Sequence, residues 1–133
     1  MLSRKKSIIT FILTAIIIMA SISQANSTPS SNSGNVKTMT IAEIYANKAS
    51  LKGKMVRVRG KVVKVSRHIM KRNWIHIKDG TGEKGTDKII FRSKDQIAKV
   101  DSEVIAQGVV DTDLDFGYGY TYSILVEDST FSK

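Results

Sequence analysis

The sequence predicts an all-β fold, a five-stranded barrel preceded by a short N-terminal helix, and three observations carry that expectation. From Met55 onward apolar residues recur at every second position, the period of a half-buried strand. Glycine- and aspartate-rich turn signals divide this region into five runs. The chain has no cysteine, so a domain of about 100 residues must hold together by its core alone, which a closed sheet allows.

The amino terminus reads as an export signal. Arg4, Lys5 and Lys6 precede an apolar run from Ile8 to Ala20, and Ser23-Gln24-Ala25 sets small residues before a cut. As a helix the run spans roughly 20 Å, short of the ~30 Å hydrocarbon layer. Residues 1–25 are therefore expected to be a cleaved signal peptide, with no stable membrane insertion afterwards and a periplasmic or secreted location; an uncleaved anchor is the alternative. Residues 26–38, rich in Ser and Asn with Pro29 among them, read as a disordered tether. Residues 39–133 form a single domain in this reading. Three of the 21 basic residues belong to the signal, so 18 face 12 acidic ones in the remainder and the net charge drops from +9 to +6. The lack of cysteine excludes a disulfide scaffold, thiolate metal sites and covalent haem attachment.

The elements follow in order. Thr40 with Glu43 three residues on is a capping box, and Ile41, Ile44 and Tyr45 opposite Lys48 suit a short helix over Thr40–Ala49, with Gly53 ending the link. In the first strand Val56, Val58 and Val62 alternate with Arg57, Arg59 and Lys61, Gly60 taking an inward position. After Val62 the phase slips, so that Val63 and Val65 are expected inward and Lys64 outward. A glycine and a slip let one strand bend across a small barrel. Trp74–Asp79 is the second strand, with Ile75 and Ile77 on the core face and Trp74, His76 and Lys78 on the other; Asp79-Gly80-Thr81-Gly82 is a turn. Lys88–Arg92 is a short third strand, with Ile89 and Phe91 toward the core. Ser93–Asp101 is at most a helical turn pinned by Ile97. Glu103–Val110 and Tyr120–Val126 complete the set. This order suggests a five-stranded Greek-key barrel of the oligonucleotide/oligosaccharide-binding (OB) fold, with an SH3-like barrel or short sandwich as the alternative.

The segments "GKMVRVRGKVVKVSRHIMKRNWIHIKDGTG" and "DTDLDFGYGYTYSILVEDS" resemble small exported bacterial OB-fold proteins related to the nitrite-reduction accessory protein NrfJ. More distantly they resemble nucleic-acid-binding OB domains of the tRNA-anticodon type. The resemblance covers roughly residues 40–129 and implies a fold, an exported location and a respiratory partner more than a chemistry. Lys71 departs from it, standing where a glycine is expected.

Four candidate sites follow. A ligand face would combine Trp74, His76 and Lys78 with Arg57 and Arg59 on the first strand, Arg67, Lys71 and Arg72 in the first connection, and Tyr118 and Tyr120 near the fifth strand. Aromatic rings among cations are the chemistry of single-strand binding, and an anionic glycan could be gripped the same way. The plainer reading keeps the cations for solubility and uses Trp74 to cover the barrel end against Tyr45. His68, Met70 and His76, with Met55, could offer nitrogen and thioether sulfur to copper, although their spacing is no recognised metal pattern. Asp111, Asp113 and Asp115 alternate in a pattern that could offer oxygens to calcium, yet Phe116 and Tyr122 stand where an EF-hand needs glycine and glutamate. No nucleophile elbow or phosphate loop is present, and Glu127 and Asp128 pair with no general base by spacing, so no catalysis is expected. The function expected is that of a monomeric, cofactor-free binding module for an extended anionic ligand, an oligonucleotide or glycan. The alternatives are an accessory protein docking an exported cytochrome-type partner and a weak metal carrier.

Overall fold

The computed structural model describes residues 36–133. The expected signal peptide, residues 1–25, and residues 26–35 of the expected tether lie outside the described residues. Two short helices, α1 (Ile41–Ala46) and α2 (Lys48–Leu51), precede five strands: β1 (Met55–Ile69), β2 (Arg72–Lys78), β3 (Lys88–Ser93), β4 (Glu103–Asp115) and β5 (Thr121–Ser132). Thr38, the last tether residue, already makes an isolated parallel bridge to Arg57.

The helix forms as its capping box requires. The Glu43 N–H donates to Thr40 Oγ1 and the Thr40 N–H to Glu43 Oε2, while Ile41 and Ile44 are fully buried. The Asp79-Gly80-Thr81-Gly82 stretch does more than turn the chain. Asp79 Oδ2 accepts from the Ile41 N–H and Thr81 Oγ1 from the Ala42 N–H, so the β2–β3 loop supplies partners to amides that the first helical turn leaves open.

The strands run as neighbours in the order β1-β2-β3-β5-β4, and β4 returns to β1. These strands close into a barrel, and the expected five-stranded Greek-key OB-fold barrel with a short N-terminal helix is corrected in its details: two short helices stand where one was expected, and the β3–β5 seam is thinner than the others. That seam is parallel and carries a single register pair, Phe91 with Val126, whereas the other seams are antiparallel ladders. Beside it lies a cleft of about 360 Å³ whose lining includes Tyr45, His76, Ile90, Tyr122 and Ile124. The architecture is a closed, mostly antiparallel barrel whose β3–β5 seam carries one register pair, with two short helices before it.

β1 is the strand that makes the curl. Met55–Lys61 pairs with β4, and Lys61–Ile69 pairs with β2. A register shift between Val62 and Lys64 realises the expected phase slip, but Val63 is the extra residue and is exposed instead of inward, while Val65 packs on the core. The core is filled by Val56, Val58 and Val62 of β1, Ile75 and Ile77 of β2, and Phe91 of β3. Ser93–Asp101 forms no helical turn, and Ala98, not Ile97, is its buried residue. β4 and β5 extend past their expected ends, so Asp111, Asp113 and Asp115 are strand residues and not a loop.

Gly60 marks where the sheet folds over itself. A Cβ there would lie 2.5 Å from the Lys78 carbonyl oxygen and 2.7 Å from Ile77 Cγ2, and neither backbone can give way without opening the β1–β2 pair. Gly60→Ala is expected to lower stability by roughly 1–3 kcal/mol, read as a lower urea midpoint at unchanged slope.

Candidate functional site

The β1–β2 and β4–β5 turns enclose an open groove of about 530 Å³. Lys64 and Ser66 line it from β1, Trp74 and His76 from β2, and Ile69 and Met70 from the first turn. The opposite wall is aromatic: Phe116, Tyr118 and Tyr120 from the β4–β5 turn and Tyr122 from β5.

Trp74 faces away from the main core yet is only 4% exposed. Its ring centroid lies 5.9 Å from Phe116 and 5.3 Å from Tyr122, and its Nε1–H donates to the Ile69 carbonyl at 2.8 Å. It therefore packs against the β4–β5 end and not against Tyr45, whose hydroxyl instead donates to the Lys88 carbonyl. Behind the rings stands Arg92, directly opposite Trp74 on β3. Its guanidinium carbon lies 4.6 Å from the Trp74 centroid and 5.0 Å from that of Phe116, a cation–π arrangement. Arg92 Nη1 donates to Glu127 Oε1 at 2.7 Å, while its buried Nε has no hydrogen-bond partner among the described residues. Burial raises the Glu127 carboxyl above its ordinary range, outweighing the pull of Arg92. Trp74, Phe116, Tyr122 and Arg92 form a second, smaller cluster on the outer face of β2–β3.

The turns hold strained backbone. Met70 and Lys71, the two residues between the paired Ile69 and Arg72, have φ of 50° and 60°, the sign a tight type I′ hairpin requires at both centres. Lys71 thus adopts the turn conformation that glycine would suit better. Tyr118 has φ 54° and is 100% exposed, so its ring contributes nothing to packing at a position where a smaller residue would strain less. Tyr120 is 60% exposed. These two rings, and not Trp74, present free faces at the groove.

Of the expected ligand residues, Trp74, His76, Tyr118 and Tyr120 come together in the groove. Lys78 lies beyond His76 on the same outer face, salt-bridged to Asp87 at 3.1 Å. Lys71 and Arg72 sit at the hairpin turn, where Arg72 Nη1 donates to the Lys71 carbonyl. Arg57 and Arg59 lie on the β4-paired half of β1; Arg57 binds the Gln107 side chain, and nine residues of strand, up to about 30 Å, separate it from Ser66. Arg67 lines a different cleft with Ala98 and Val100. Sequence reasoning missed Lys64, Phe116 and Arg92. Arg92 had a readable signal, since it alternates with the core residues Ile89 and Phe91 on β3.

The metal candidates do not gather. Met70 and His76 line the groove, His68 is exposed and its N–H donates to Asn73 Oδ1, and Met55 Sδ accepts from Gln107 at the far end of β1. Asp111 Oδ1 is engaged by the Thr112 N–H and Asp115 Oδ1 by the Gly117 N–H. No group of three His, Asp or Glu residues able to hold a metal occurs among the described residues. Compared with known proteins, the chain matches no family model and no curated protein sequence.

Burial, and then Lys64 and Lys88, hold the His76 imidazolium below its usual pKa. Below about pH 6.5 the unfolded chain takes a proton at this ring that the folded chain resists. Stability is therefore full above that value and declines as pH falls through the folded pKa; His76→Gln should remove that part of the slope in urea midpoints measured across the range. Arg92→Ala leaves Glu127 without its partner and the rings without their cation. It is expected to lose about 3 kcal/mol or more and to shift Trp74 emission to the red.

Proposed function

We infer that the chain is a non-catalytic, exported binding module for an extended anionic ligand, an oligonucleotide or anionic glycan, held in the groove between the two turns. The observation that carries this reading is the joining of exposed aromatic faces and cations on one surface. Tyr118 and Tyr120 stand at the mouth, and Lys64 and His76 line the floor that leads toward Lys78. Rings accept the flat parts of such a ligand by stacking and ammonium groups accept its charges. The export signal expected of residues 1–25 would deliver the module outside the cytoplasm.

A second reading has its own support. Ile69 and Met70 are nearly half exposed beside Tyr118, an apolar pair of turn tips suited to docking an exported protein. The resemblance to NrfJ-related proteins points to a respiratory partner for that role. The separation of His68 from the groove disfavours the metal carrier.

Trp74, the chain's single tryptophan, abuts the groove and reports on it. Titrating the protein with a short oligothymidylate or a heparin-derived oligosaccharide is expected to change its emission saturably. Tyr118→Ala with Tyr120→Ala should weaken binding by roughly 1–3 kcal/mol for each stacked ring lost. Emission that neither ligand alters, with no binding by calorimetry, overturns the anionic-ligand reading.

A further inference from the structure

The outer face of β1–β2–β3 carries cations beyond the groove. Lys61 lies directly opposite Lys78, and Lys78 directly opposite Lys88, so three lysines cross three adjacent strands in one row, with neighbours about 4.8 Å apart. Like charges directly opposite one another destabilise a sheet, and an alternation of lysine with any polar residue would serve solubility equally well. Two carboxylates offset the repulsion in part: Asp87 lies 3.1 Å from Lys78 Nζ and Asp101 3.8 Å from Lys61 Nζ. Both pairs are well exposed; such pairs are weak, and a multivalent anion can displace them. On the groove side of the row Lys64 stands opposite His76, so basic side chains run without a break from the row into the aromatic groove.

We propose that this lysine row is an anion-binding site for a linear chain of phosphate groups, continuous with the groove through Lys64 and His76. The proposal rests on the groove reading above and adds where the ligand's charge is held: the turn tyrosines take its flat parts, and Lys61, Lys78 and Lys88 take successive phosphates. The lining of the groove favours a phosphate chain over a glycan. A hydroxyl-rich sugar needs paired donors and acceptors, and no carboxylate or amide side chain lines the groove among the described residues. His76 supplies a further consequence. Lys64 faces it from β1 and Lys88 from β3, while Tyr45 of α1 and Tyr122 of β5 adjoin it in the neighbouring cleft. Burial is the first cause that disfavours the charged imidazole and the charges of Lys64 and Lys88 the second; phosphates lying over those lysines offset the second, so binding favours proton uptake there.

The test is equilibrium binding of the protein to a short oligothymidylate, to inorganic polyphosphate and to orthophosphate, each at two salt concentrations and at about pH 5.5 and 7.5, on either side of the ordinary histidine pKa. Both chains should bind and orthophosphate should not. The double variant Lys78→Gln, Lys88→Gln should weaken both chains several-fold and reduce the slope of log affinity against log salt by about 0.7 for each phosphate contact removed. Lys52→Gln, at the C-terminal cap of α2 and outside the groove lining, should leave the slope unchanged, and Tyr118→Ala with Tyr120→Ala should weaken the oligothymidylate more than the polyphosphate. Affinity should rise toward the lower pH, and His76→Gln should abolish that rise. An unchanged salt slope in the lysine double variant overturns the row, and if the tyrosine variants still weaken the oligothymidylate the groove reading survives it. Orthophosphate binding as tightly as polyphosphate, or a heparin fragment competing as well as polyphosphate, overturns the linear-phosphate specificity. Failure of every ligand overturns both readings. All three lysines are exposed, and an unchanged melting temperature separates loss of a contact from loss of fold.

Discussion

The structure depends on one strand serving two partners. β1 gives its first half to β4 and its second to β2, and a strand can do that only if it bends sharply without losing its hydrogen bonds. Gly60 admits the Lys78 carbonyl where a side chain would collide, and the extra residue at Val63 adds the local twist that a bulge brings. The bend brings Val56 and Val58 onto the same core as Val62, Ile75 and Ile77. It also turns the far end of β1 outward, so that Lys64 and Ser66 reach a surface that Arg57 cannot.

The groove is a by-product of how the long hairpins end. β4 and β5 run on past the core, and their turn folds back so that Phe116 and Tyr122 settle on the outer face of Trp74. A ring cluster on the outside of a sheet needs its own foundation. Arg92 provides it, clamped to Glu127 on one side and covering the rings on the other. The rigid half of the groove is therefore built like a core, while Tyr118, Tyr120, Ile69 and Met70 remain uncommitted at its rim.

Much of this was legible in the residues. The alternation of Val56, Val58 and Val62, the buried pair Ile75 and Ile77, and the capping box at Thr40 are local patterns, and the structure realises each of them. How the barrel closes was not legible, because the single parallel pair of β3 with β5, Phe91 with Val126, joins strands that β4 separates in sequence and that only the folded packing brings together. The same limit applies to the site. Period two put Trp74, His76 and Lys78 on one face, but it could not tell that a turn more than forty residues later would bury Trp74 and leave Tyr118 free. Nor could it separate Arg57 from Arg67 and both from the groove, since that separation follows from the bend.

The capping of α1 by Asp79 and Thr81 also bears on the order in which structure becomes possible. The helix has six residues, far short of the ~12–15 that an isolated helix needs to be even marginal in water. Its open amides find their acceptors 38 and 39 residues downstream. A ribosome delivering this chain from its amino end therefore releases the helical segment well before anything exists to hold it. The first of the described elements is a conditional one, and it becomes a helix only when the β2–β3 loop arrives.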